Sequence, residues 1–111
     1  MREQTFVGEF ELMVLLTILQ LGDEAYGVPL ARELGVQRGR EVHLGSVYAA
    51  LERLEIKGLV TSSVGEATRE RGGRAKRYFR VTEHGLRSVH ATREVLRKLW
   101  RSLPTLAEEI A

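Results

Sequence analysis

One stretch, residues 44–80, limits the possible folds more than any other. Val47, Leu51 and Leu54 recur at the spacing of one helix face, over a segment expected to be helical at 45–57. Ser46, Tyr48, Ala49, Glu52, Arg53 and Lys57 are left for the outer face, and Gly58 supplies a stop. Two short extended segments follow, at 59–64 and 76–81, separated by a polar loop that ends in Gly72, Gly73 and Arg74. On the second segment Phe79 and Val81 alternate with Tyr78 and Arg80, so Phe79 and Val81 should point inward. The expected unit is a helix feeding an antiparallel hairpin with a glycine–arginine tip.

The flanking sequence supplies three more helices. Residues 9–21 read as a helix that is apolar nearly all round: Phe10, Val14 and Ile18 on one face, Leu12, Leu15, Leu16 and Leu19 on the others. Such a helix must be covered on more than one side, and so small a domain has few ways to do that internally. Residues 26–34 read as a second helix, with Pro29 tolerated in its first turn and Gly35 as its stop. Residues 36–41 are then a loop, and Val42 and Leu44 are candidates for a third strand of the hairpin sheet. Thr82 is placed to cap a fourth helix. That helix carries Leu86, Val89, Arg93, Leu96, Trp100 and Leu103 at alternating steps of three and four, with Ala107 and Ile110 beyond. A period near 3.5 is the seam of a helix pairing. Pro104 should end or kink the helix at Leu103.

The charge is unevenly spread. Residues 38–80 hold ten basic and five acidic side chains, a net of +5, whereas residues 1–37 hold two and six, a net of −4. The whole chain is only +2. Positive charge therefore concentrates on the helix-plus-hairpin unit. A helix that enters the major groove beside a basic hairpin on the phosphates is how a winged helix-turn-helix protein meets DNA. The expected fold class is α+β, mainly helical: a winged helix-turn-helix over residues 1–81, with a C-terminal dimerisation helix at 82–111, in one compact domain.

The remaining composition mainly excludes. At 111 residues the chain fits one domain, with a real but small core. It has no cysteine, which removes disulfides and thiolate metal sites and fits a reducing cytoplasm. No N-terminal stretch reads as a signal peptide, and the apolar run at 12–16 is too short to span a bilayer, so no membrane role is expected. His43, His84 and His90 are scattered, Asp23 is the single aspartate, and no phosphate loop or nucleophile motif appears. Neither an enzyme nor a cofactor or metal site is expected.

The ordered segments FELMVLL, AYGVPL, GSVYAALERLE, GGRAKRYFR and VTEHG resemble the PadR family of transcriptional regulators over roughly residues 8–100. Ala49 and Ala75 stand where that family often has proline. The resemblance implies a DNA-binding homodimer that represses transcription, with the C-terminal helix packed on the partner's first helix. The DNA candidates are Tyr26, Ser46, Tyr48, Arg53, Arg74, Lys76 and Arg77. Several have an alternative role. Ser46 could be an ordinary helix cap. Tyr48 could be a surface aromatic packed on the second helix, and Tyr26 could cap the core. Arg53 could pair with the neighbours of Glu52 or face solvent. The dimer candidates are Leu12, Leu16, Leu19, Leu86, Val89, Leu96, Leu99, Trp100 and Leu103. Trp100, with Leu96, is a packing anchor or else a flat wall for a planar hydrophobic effector, cationic or neutral. The reading from a different class is a winged-fold interaction module without sequence-specific DNA binding.

Overall fold

The computed structural model describes residues 7–65 and 75–103. The described elements run α1 (Glu9–Leu21), a single 3-10 turn (Gly22–Glu24), α2 (Gly27–Arg38), α3 (Leu44–Ile56), β1 (Val60–Val64), β2 (Arg77–Val81) and α4 (Glu83–Arg101). Helices α1, α2 and α3 pack on one another over the two-stranded sheet. Their shared core holds Val14, Leu15, Ile18, Leu30, Leu34, Val47, Ala50, Leu51 and Leu54, closed by Leu59, Val60 and Phe79. Each of the larger side chains, the valines, leucines, Ile18 and Phe79, contributes roughly 1.5–3 kcal/mol by leaving water. The inward face expected for α3 is observed, with Ala50 added to it.

The antiparallel pairing sets Val60 against Val81, Ser62 against Phe79 and Val64 against Arg77. Each strand starts one residue later than expected. The Leu59 N–H donates to the Leu54 carbonyl at 2.9 Å and closes α3, while the Leu59 carbonyl accepts from the Thr82 N–H at 3.0 Å, just beyond the first paired residues. Phe79 is buried as expected, while Val81 is only partly covered. No third strand forms at Val42 and Leu44, because Leu44 already opens α3. The third position in the sheet is taken by the segment before α2. Tyr26 bridges Tyr78, and the Phe79 N–H donates to the Ala25 carbonyl at 2.9 Å.

Helix α2 also departs from expectation, running through Gly35 to Arg38. The stop is Gly39, at φ 73°, where its N–H donates to the Gly35 carbonyl at 2.9 Å. Only glycine takes this left-handed cap at little cost. Gly35 has a packing role instead. A Cβ there would sit 3.2 Å from the Arg40 carbonyl oxygen, so its bareness lets residues 40–42 fold back onto α2.

Thr82 caps α4 as expected. Its Oγ1 accepts from the Gly85 N–H at 2.9 Å and donates to the Gly58 carbonyl at 2.8 Å. Gly85, Ser88 and Thr92 are buried against the body of the chain, but every residue from Arg93 to Leu103 is exposed. The last half of α4 therefore projects. The radius of gyration is 16.3 Å, against about 13 Å for a compact chain of this length. The helix ends at Arg101, two residues before the expected Leu103. Pro104, Ala107 and Ile110 lie outside the described residues.

Candidate nucleic-acid interface

Three aromatic side chains converge where α2 begins. Tyr26, the residue before α2, meets Tyr78 of β2 edge to face, with ring centroids 5.3 Å apart. The Lys76 ammonium lies 4.6 Å from the Tyr26 ring centroid, and its Nζ donates to the Tyr26 hydroxyl at 3.4 Å. A cation over an aromatic face is attracted by the ring's negative quadrupole. Tyr48 approaches from α3 and lies over Gly27, where any Cβ would overlap its ring. It is still 45% exposed. The alternative of packing on α2 is therefore realised together with an accessible ring. Tyr26, Tyr48 and Lys76 thus form one surface between α3 and the wing.

Other candidates lie elsewhere. Arg77 is tied across the wing. Its Nη1 donates to the Ser62 hydroxyl at 2.9 Å, and Ser62 donates to a Glu55 carboxylate oxygen at 2.8 Å. Ser46 is exposed in the first turn of α3, but it is not the cap. His43 holds that place, and its carbonyl accepts from the Ser46 and Val47 N–H groups. Arg74 lies outside the described residues.

Arg53 has a partner that local sequence did not suggest. Its Nε donates to Glu11 Oε2 at 2.8 Å, and Lys57 Nζ donates to Glu11 Oε1 at 2.8 Å. The Glu11 side chain is only 8% exposed, while Arg53 remains 52% exposed. Burial pushes the Glu11 carboxyl up. The hydrogen bonds and positive charges of Lys57 and Arg53 outweigh that and hold it below its ordinary 4.5. Glu9 and Glu11 both stand in the first turn of α1, and nothing local to that turn marks Glu11 as the one that meets Arg53 and Lys57.

The dimer candidates fall along the junction of α1 and α4. Leu12, Leu16, Val89, Leu96 and Trp100 line an open apolar groove of about 550 Å³, edged by Arg93, Arg97 and Arg101. Leu19, Leu86, Leu99 and Leu103 are also largely uncovered, and Trp100 is 61% exposed. Among the described residues, no cluster of His, Asp or Glu is placed to hold a metal. No described helix is long and apolar enough to cross a membrane.

Comparison with known proteins agrees with this architecture. A transcriptional regulator of Mycobacterium tuberculosis is 35% identical over 81 residues, covering 73% of this chain and 71% of that protein. The crystal structure of a PadR family transcriptional regulator from Eggerthella lenta matches with a TM-score of 0.66 and 29% identity, over 86% of this chain and 81% of that one. A PadR-like regulator from Bacillus cereus, 22% identical, shares the fold with a TM-score of 0.70 over 88% and 90% of the two chains. Residues 15–91 match the transcriptional regulator PadR-like family. With its helices, wing and sequence matches in agreement, the chain belongs to the PadR family of DNA-binding transcriptional regulators and is not an enzyme.

Proposed function

We propose that the chain acts as a homodimeric repressor on a pseudopalindromic operator, each protomer laying α3 in a major groove and its wing along the phosphates. The observation that carries this reading is the surface of Tyr26, Tyr48 and Lys76 between α3 and the wing. Hydroxyl and ammonium groups there suit phosphate oxygens. Ser46, Arg53, Arg77 and Arg74 complete the proposed DNA-facing set. The exposed leucines of α1 and α4 supply the self-complementary face that a two-fold dimer needs. Half-sites then lie about one helical turn apart, or a multiple of it. The test is a salt-titrated binding series on the gene's own upstream duplex with competitor DNA. Wild type should bind, and Lys76→Ala should lower the salt slope by about one. Equal binding to operator and competitor would instead support an interaction module without sequence-specific binding.

The groove beside Trp100 favours a second reading, an effector site at the dimer junction. Its apolar floor suits a planar hydrophobic molecule. The three arginines at its edge favour a neutral or anionic ligand over the cationic one allowed by sequence alone. Trp100 is the only tryptophan, so its fluorescence reports the site. Quenching by planar dyes, lost in Trp100→Ala with the dimer intact, supports the reading. Absence of quenching removes it.

A further inference from the structure

The other flank of α3 carries a feature that the tyrosine surface does not use. A cleft of about 370 Å³ opens where the start of α1, the end of α2 and α3 meet. Its walls include Phe10, Arg38, Arg40, His43, Ser46 and Arg53. Glu41 is also on its edge. Among the described residues, however, no carboxylate lies within ion-pair distance of Arg38 or Arg40. The Arg38 and Arg53 side chains and the Arg40 backbone are held in place. The Arg38 guanidinium sits 5.7 Å over the Phe10 ring. Arg40 follows the left-handed Gly39, and its N–H donates to the Gly35 carbonyl at 3.1 Å. Arg53 is anchored through Nε by Glu11, which leaves its two terminal nitrogens for an outside acceptor.

A helix with its side chains is about 10–12 Å across, and the major groove is about 12 Å wide. A helix seated there is bordered by phosphates of both strands. Tyr48 faces the α2–wing side of α3, while Ser46, Ala49 and Arg53 face the cleft. We propose that the cleft is a second backbone site. Arg38 and Arg40, helped by Ser46 and the outer end of Arg53, take a phosphodiester of the strand opposite the one that meets Tyr26 and Lys76. This rests on the DNA-binding reading above and adds residues to it. The two sites straddle α3 and fix its rotation in the groove.

The test uses a duplex selected from random sequence by the full-length wild-type protein, titrated at several salt concentrations. Arg38→Ala and Arg40→Ala should each weaken binding roughly three- to tenfold and lower the salt slope by about one. Both side chains are exposed, so the fold should survive, which circular dichroism checks. Neutral methylphosphonates are then placed one at a time along both strands. The position that no longer matters in Arg40→Ala should lie across the major groove from the one that no longer matters in Lys76→Ala. Unchanged affinity and slope in both arginine variants, or coincident positions for Arg40 and Lys76, would overturn the cleft while leaving DNA binding intact. Failure of the wild type to select any duplex would remove the functional reading and the cleft with it.

Discussion

At the scale of single residues, Glu11 joins two parts of the molecule that sequence separates by 42 positions. Its carboxylate is nearly buried and accepts from both Arg53 and Lys57. The folded-state carboxyl titrates below 4.5, so the protein holds this proton less tightly when folded than when unfolded. Stability from the cluster is therefore complete above about pH 4.5 and is lost as pH falls from there through the folded value. Glu11→Gln should cost about 1–2 kcal/mol at pH 7, at the low end for charge-assisted hydrogen bonds because Arg53 and Lys57 stay half in water. In urea unfolding, the gap between wild type and variant should close below pH 4.5. A gap that stays constant with pH would mean that shape, not charge, sets the effect. Sequence placed Arg53 on the outer face of α3 correctly. It did not reveal Glu11, since an ion pair between distant helices leaves no local pattern.

At the scale of elements, helices with strong periodicity were legible and junctions were less so. The limits of α1 and the inward face of α3 followed from apolar spacing, which local geometry enforces. The end of α2 did not, because two glycines four residues apart offered two stops and only the fold-back of residues 40–42 chooses between them. The third position in the sheet was misassigned for a similar reason. Tyr26 joins by a single backbone bridge, which has no alternating pattern to read. The choice of Gly39 has a measurable result. At φ 73° a Cβ is strained, so Gly39→Ala should destabilise by about 1–2 kcal/mol in chemical denaturation. Nothing lies within 4 Å of that Cβ position, so the loss would come from the backbone alone. A neutral result would show that this turn relaxes.

At the scale of the whole molecule, α4 is about 28 Å long by its helical rise, and its own chain covers only the first half. Leu96, Leu99 and Trp100 are 49%, 60% and 61% exposed in the single chain. Under the proposed dimer, Leu96→Glu sets a charge in the seam. Sedimentation at micromolar concentration should shift from twice the chain mass toward once. An unchanged dimer would place the interface elsewhere. The apolar stripe was plain in the sequence, whereas its lack of cover within one chain needed the fold. In the proposed dimer, cover for this overhanging helix obeys mass action. Each tenfold rise in copy number favours the paired state by about 1.4 kcal/mol. Dilution should lower the melting temperature, and an operator holding two protomers side by side should raise it without touching α4. Under the proposed dimer, the overhang ties the burial of α4 to dosage: a scarce protein would leave the apolar stripe in water, and an abundant one would cover it.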